Sequence, residues 1–162
     1  LSLVLPKVRA LRDVKLSAFI EHENLLSVTI RKRCRHVIDE NRRVLEAAAD
    51  LKRNDLSDFG KLMYQSHLSL KNNYEVSSDE LDAVVDIAAS TDGVFGARMT
   101  GAGFGGSAVC LVAEENVQLL ESKLLEHYPR ITGLEPKVYI CEIEDGARIE
   151  WRKIMVETPT KK

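Results

Sequence analysis

The sequence of 162 residues has few of the residues that build disulfide frameworks, metal centres or membrane spans. Its three cysteines, Cys34, Cys110 and Cys141, have no C-x-x-C spacing, and its four histidines form no i,i+4 pair. We therefore expect reduced, buried thiols and no metal site. The apolar runs are short, as at residues 108–113, so no transmembrane helix and no membrane partner are predicted. No secretory leader is visible, which favours a cytoplasmic protein.

An excess of one charge is also missing. The chain has 23 Lys and Arg against 25 Asp and Glu, a net charge of −2, which argues against a nucleic-acid partner. One basic cluster stands out: Arg31, Lys32, Arg33 and Arg35. It is interpreted as a solvated helix face, with a phosphate-facing patch as the alternative. Hydrophobic residues make up 44% of the sequence, enough for the core of one domain.

Apolar spacing in the first half predicts helices. Residues three and four apart form a stripe with one polar exception: Ile30, Cys34, Val37, Asn41, Val44, Ala48 and Leu51. The stripe predicts a long amphipathic helix from about Asn24 to just before Asn54. Asp55 fits the N-cap of a second helix that ends near Asn72. Ser77 fits the N-cap of a third, in a capping box with Glu80.

The second half changes to strand spacing. The predicted elements are strands at Val94–Thr100 and residues 107–113, a helix at residues 116–128 that Pro129 ends, and a strand at residues 137–143. Asp145-Gly146 signals a hairpin, and residues 147–151 could pair back. Residues 107–143 would form a right-handed crossover. The order predicts an α+β domain over residues 1–151, with one sheet covered by helices and a polar tail at 152–162.

Four glycines lie within six residues, at Gly101, Gly103, Gly105 and Gly106. Such density indicates a backbone that needs positive φ or close approach to an anion. The spacing matches G-x-G-x-x-G, but a strand follows where the dinucleotide-binding motif needs a helix. The protein-kinase version would need V-A-I-K, H-R-D and D-F-G segments, and none occurs. The residues alone leave a packing device and a phosphate or ligand neighbour open.

Several ordered segments resemble one family. RMTGAGFGGS at residues 98–107 resembles the third signature motif of the GHMP small-molecule kinases, in the form found in galactokinases. Residues 33–44 are similar to the family's long helix, and residues 66–82 to its next block. Residues 133–139 and 145–147 resemble its C-terminal strands. The likeness runs from about Leu11 to about Ile149.

The resemblance implies a ferredoxin-like C-terminal domain with an antiparallel or mixed sheet and a helical first half. It implies a part of an enzyme that uses ATP and Mg²⁺ to phosphorylate the anomeric hydroxyl of galactose, giving galactose 1-phosphate. The family's galactose-binding segment, phosphate loop, most Mg²⁺ ligands and catalytic base lie in an N-terminal GHMP domain. This chain opens on Leu1 and carries none of those segments. We therefore expect it to be a C-terminal half, inactive alone, with that domain, galactose and ATP as partners.

The resemblance also names site residues. The segment expected to close over the cleft and supply backbone donors is Thr100, Gly101, Ala102, Gly103, Phe104, Gly105, Gly106 and Ser107. Arg98 would add positive charge there or face solvent. His67 would face the same cleft or, as we favour, pack between helices. No catalytic residue is assigned: Asp82, Asp86 and Asp92 are interpreted as helix-start, exposed-face and turn residues.

Two other functions remain compatible with these motifs. One is a non-catalytic regulatory protein of the same family that senses galactose and ATP. The other is a GHMP kinase for a different sugar, because the family's substrate choice is made mainly in the N-terminal half.

Overall fold

The computed structural model describes Leu1 and residues 4–142. The helices are α1 (Leu16–His22), α2 (Val28–Lys52), α3 (Leu56–Ser69), α4 (Asp79–Ala89) and α5 (Val117–Thr132). A π-helical turn, Leu70–Tyr74, extends α3. Two strands, β1 (Val94–Thr100) and β2 (Ser107–Val112), lie between α4 and α5. This confirms the predicted α+β class with a helical first half. Within the described part, each helix is too short or too polar to cross a membrane.

β1 and β2 form an antiparallel pair whose register runs from Thr100 opposite Ser107 to Val94 opposite Val112, with an irregularity between Val94 and Gly96. α3 and α4 pack against β1, and α5 packs against α4. The main core lies among these elements and includes Ala97, whose side chain is fully buried. A second core around Phe19 joins α1, α2 and the N-terminal segment.

α3 and β1 approach each other closely at two glycines. A Cβ on Gly60 would lie 1.9 Å from the carbonyl oxygen of Phe95, and a Cβ on Gly96 would lie 2.4 Å from that of Gly60. Real Cβ atoms do not come that close to backbone, so both positions need glycine. The contact sets the spacing between helix and strand that brings the next turns of α3 to β1.

The buried side of α2 differs from the prediction. The helix ends where expected but begins at Val28, and of the seven predicted stripe residues only Cys34 is buried. Ile30, Val44 and Leu51 are 50%, 59% and 52% exposed. The residues buried on this helix are mostly polar or charged: Cys34, His36, Ile38, Arg43 and Asp50. The prediction failed because Ser66 and Ser69 of α3 bind polar side chains of α2, and Glu40 pairs with Arg43 within α2; apolar periodicity does not register such contacts.

Two helix ends also differ from their predictions. The N-cap of α4 is Ser78, whose hydroxyl accepts a bond from the Leu81 N–H, and the Ser77 hydroxyl is instead donated to Asp82. Pro129 lies inside α5 and does not end it. A proline removes only one donor, and the helix continues for another turn to Gly133, which adopts a left-handed φ of +74°. The predicted N-cap Asp55 is confirmed, because its side chain accepts the Asp58 N–H.

The predicted third strand, at residues 137–143, does not form in residues 137–142, which are the part of it that the structure describes. Residues 137–142 have no strand pairing, although Val138 packs against the main core. The crossover that would have ended there is therefore absent from the described residues. Ile143, the hairpin at 145–146, the pairing segment 147–151 and the tail lie outside the described residues.

The cysteines are free but not uniformly buried. Cys34 is buried, Cys110 is half-buried and Cys141 is exposed, so the expectation of buried thiols was wrong for Cys141. Desolvation raises the pKa of Cys110 to about 11, which makes its thiolate scarce at neutral pH.

Candidate functional site

The glycine loop connects β1 to β2 in a left-handed backbone. The φ angles are +86° at Gly101 and Gly103, +60° at Phe104, +120° at Gly105 and +101° at Gly106. The predicted need for positive φ is thus the reason for the glycine density. Phe104 adopts the same region without being glycine, and its side chain is 77% exposed.

The loop is held to the rest of the chain at its middle. The Phe104 N–H donates to the carbonyl oxygen of Val76 at 2.7 Å, and a Cβ on Gly103 would lie 2.2 Å from that oxygen. Cβ atoms on Gly101, Gly105 and Gly106 would meet nothing within 4 Å. One side of the loop therefore rests on the segment before α4, and the rest is open. Thr100 and Ser107 pair across its base, and Ala102 is exposed.

The segment that supports the loop is fixed by the basic cluster of α2. Lys32 and Arg33 bind the two carboxylate oxygens of Glu75 at 2.7 and 2.6 Å, and Arg33 also donates to the Asn73 carbonyl. These bonds, from Lys32 and then Arg33, lower the pKa of Glu75 to about 2. Glu75 ends the π-helical turn with a left-handed φ of +57°. Arg35 pairs with Glu23. Three of the four cluster residues are thus bound to carboxylates, a role that neither interpretation of the cluster included.

His67 lies in the interior, 3% exposed, where α3, α4 and β1 meet. Its Nδ1 accepts the Met99 backbone N–H at 3.2 Å, and its Nε2 lies 3.1 Å from Asp82 Oδ1. Because a backbone N–H can only donate, Nδ1 carries no proton and Nε2 donates to Asp82. This is the helix-packing position, not one facing the loop's open side. Asp82 begins α4 as predicted but turns inward, accepting also from Ser77 at 2.6 Å and Lys71 at 2.7 Å.

Arg98 of β1 pairs with α2. Its NH1 lies 3.2 Å from Glu40 Oε1, and its Nε donates to the Met99 carbonyl. Glu40 also accepts from Ser66 Oγ at 2.6 Å and from Arg43 Nε at 2.8 Å. Burial would raise the pKa of Glu40, but these hydrogen bonds and the two arginines lower it overall. Arg98 is thus engaged in an ionic network with α2, with 35% of its side chain exposed to solvent.

This polar network was missed by the sequence analysis, although a signal for it exists. His36, Glu40, Arg43 and Asp50 are spaced by four, three and seven residues, so they share one face of α2. His36 Nδ1 lies 2.9 Å from Ser69 Oγ, and its ring stacks on Tyr74 at 4.7 Å. Ser66 and Ser69 of α3 are also three residues apart, so polar residues at helical spacing on both helices are the signal for this contact.

The described residues fit an anion better than a metal ion. Successive backbone N–H groups in turn conformations of this kind form concavities that suit an anion. Among the residues that the structure describes, no three His, Cys, Asp or Glu side chains are grouped to hold a metal ion. Two surface cavities, one beside Asn54 and one beside Val14, do not border the loop.

Stability should fall as the pH drops below about 6.5. Burial lowers the pKa of His36 and His67 below 6.5, and it outweighs the opposing carboxylates, chiefly Glu40 for His36 and Asp82 for His67. Asp39, Arg43 and Arg98 also face His36, and Lys71 and Asp86 also face His67. The unfolded chain then binds protons more readily, so stability is full above pH 6.5 and declines below it. Urea unfolding at pH 7.5 and 5.5 checks this, and equal midpoints would contradict it.

The comparisons with known proteins agree on one family. The sequence model described as GHMP kinases C terminal matches residues 47–130. A galactokinase of Roseiflexus sp. (strain RS-1) is 43% identical over 141 residues, and one of Bacillus subtilis (strain 168) is 42% identical over 142 residues. Each alignment covers 87% of this chain but only 36% of the relative. The chain thus spans little more than a third of the length of these relatives.

A solved structure shares the fold. The crystal structure of Lactococcus lactis galactokinase complexed with galactose aligns with a TM-score of 0.79 and 36% sequence identity, over 82% of this chain and 34% of that one. This confirms the expected fold and the resemblance on which it was based. Since the family match covers just over half of the residues, the chain belongs to the GHMP kinases and corresponds to their C-terminal domain.

Proposed function

We propose that this chain is the C-terminal domain of a galactokinase, which transfers a phosphoryl group from ATP to the anomeric hydroxyl of galactose. The similar proteins named galactokinase and the galactose complex of the Lactococcus lactis protein support this assignment. The observation that carries it is the glycine loop, a left-handed backbone fixed on one side by Val76 and open on the other. Such a loop suits the oxygens of a transferring phosphoryl group.

The loop would act by position and backbone donors, not by acid–base chemistry. Thr100 to Ser107 offer no side chain with a suitable pKa, and Arg98 and His67 are engaged elsewhere. ATP would be bound in part by this loop. An N-terminal GHMP domain would supply the catalytic base and the ligands of Mg²⁺, which neutralises phosphate charge when bound. The chain alone is therefore inactive in this proposal, and the working protein is cytoplasmic.

A chimera tests this function directly. The chain is expressed alone and also in place of the matching C-terminal part of the Bacillus subtilis galactokinase, with that intact enzyme as the positive control. ADP release with galactose and Mg-ATP is expected from the chimera and not from the chain alone. Turnover by the chain alone would overturn the assignment of the catalytic groups elsewhere. A folded chimera without turnover would contradict the assignment to a working galactokinase and would favour the galactose- and ATP-sensing alternative.

Alanine substitutions at two loop glycines distinguish the stability cost of a steric overlap from the cost of backbone strain. Gly101 and Gly103 share a φ of +86°, but a Cβ is in open space at the first and overlaps Val76 at the second. Gly101→Ala should lower the free energy of unfolding by about 1 kcal/mol, the cost of a left-handed alanine. Gly103→Ala should cost at least about 1 kcal/mol more, because the Val76 segment must move. Urea unfolding of both variants measures this difference, and equal losses would contradict the contact with Val76.

A further inference from the structure

The two attachments of the glycine loop meet in one hydrogen-bond network. Met99, whose N–H is bound by His67, is the residue before Thr100 at the base of the loop. Val76, whose carbonyl holds Phe104, is the residue before Ser77. Ser77 and His67 bind the same oxygen, Oδ1 of Asp82, at 2.6 and 3.1 Å. One carboxylate oxygen therefore links the base of the loop to the support of its middle.

We propose that His67 is a positioning residue for the glycine loop, holding Met99 through Nδ1 while Asp82 fixes the orientation of its ring. The inference rests on the proposed function only for its effect on catalysis, since the placement of the loop can be measured without turnover. His67 itself touches no reacting group in this proposal and acts through the backbone.

The chemistry of the ring explains why a histidine is suited to this position. The imidazole must accept a backbone N–H on one nitrogen and donate to a carboxylate on the other, which only the neutral tautomer with its proton on Nε2 does. Asp82 enforces that tautomer, and Lys71 at 2.7 Å from Oδ2 keeps the carboxylate ionised. Burial of His67 excludes water that could replace the Met99 bond.

Two substitutions separate the functions of the two nitrogens. His67→Asn places an amide oxygen near the Nδ1 position, so the Met99 bond survives and the Asp82 bond is lost. His67→Gln places its amide near the Nε2 position, so the Asp82 bond survives and Met99 loses its acceptor. A residue needed only to fill space would be affected at least as strongly by the smaller Asn as by Gln.

Amide hydrogen exchange in the 162-residue chain provides the first measurement. In His67→Gln the Met99 and Phe104 amides should exchange about tenfold faster than in the unsubstituted chain, and in His67→Asn they should stay within about threefold. Ser77→Ala, a milder change at a half-buried hydroxyl, should accelerate Phe104 but not Met99. Unchanged exchange in His67→Gln, or equal acceleration in both His67 variants, would overturn the proposal, as would a Ser77→Ala chain with unchanged Phe104.

Kinetics in the chimera provide the second measurement. Misplacing a group by about 1 Å can cost up to about a hundredfold in rate, so His67→Gln should lower kcat about tenfold or more with a smaller change in KM. His67→Asn should restore most of kcat. If the unsubstituted chimera is inactive while the exchange pattern holds, the proposed function fails and the positioning role stands. If the chimera is active and His67→Gln keeps its kcat, the positioning role fails alone.

Discussion

The Gly60→Ala variant is expected to lose about 3 kcal/mol of stability, at the upper end of what overpacking costs. Gly60 lies in a regular turn of α3, where alanine is intrinsically better than glycine by about 1 kcal/mol, so propensity alone predicts the opposite sign. The added methyl group would lie 1.9 Å from the Phe95 oxygen and 2.3 Å from its carbonyl carbon. Both are backbone atoms of β1, which cannot swing aside as the end of a side chain can.

Urea unfolding of the 162-residue chain measures this effect, with Gly101→Ala as the matched glycine-to-alanine control in open space. We expect Gly60→Ala to unfold at a clearly lower urea concentration than Gly101→Ala. Displacement of α3 from β1 should also weaken the bond between His67 and Met99, so the Met99 amide should exchange faster. A Gly60→Ala chain as stable as the unsubstituted one would show that helix and strand are not held at the spacing described.

The features that sequence predicted well are those determined by a few adjacent residues. The bounds of β1, the cap at Asp55 and the positive φ angles of the glycine loop follow from local alternation, a local hydrogen bond and the absence of Cβ atoms. β2 was predicted one residue too long, and the end of α5 was predicted four residues too early, because Pro129 is tolerated near its end. Such errors concern where an element ends rather than what it is.

The features that sequence missed depend on partners distant in the chain. The apolar stripe of α2 predicted its buried side wrongly, because His36 binds Ser69 on α3, and Glu40, the partner of buried Arg43, also binds Ser66 on α3 and Arg98 on β1. The same holds for the site. Its glycines could be identified from their spacing. The contacts of Gly103 with Val76 and of Met99 with His67, however, join residues that are 27 and 32 positions apart in the chain.

Removing the Glu40 carboxylate should show how much of the stability of α2 rests on polar rather than apolar burial. Glu40 is 22% exposed at its side chain, and its partner Arg43 is 8% exposed. Glu40→Ala leaves Arg43 buried without its counter-charge and Ser66 without its acceptor. Breaking a fully buried ion pair costs about 3–5 kcal/mol, and the partial exposure of Glu40 reduces this to about 2–3 kcal/mol.

Glu46→Ala on the same helix is the matched control. Glu46 also pairs with an arginine, Arg42, at 2.8 Å, but both side chains are exposed by more than 40%, so its loss should change stability by less than about 0.5 kcal/mol. Unfolding at neutral pH measures both variants, and similar small losses would contradict a structural role for the polar network.

Lowering the pH provides an independent check that the ionised carboxylate of Glu40 is what stabilises the chain. The pKa of Glu40 lies below its ordinary 4.5 in the folded chain, so its ionised form contributes stability that is fully present above that pH. As the pH falls through the lowered pKa, the carboxylate is protonated and that contribution disappears. The difference in stability between the unsubstituted chain and Glu40→Ala should therefore narrow below about pH 4.5. A difference that stayed constant into acid would mean that Glu40 acts through packing of its methylene groups, and that the charge of Arg43 is balanced elsewhere.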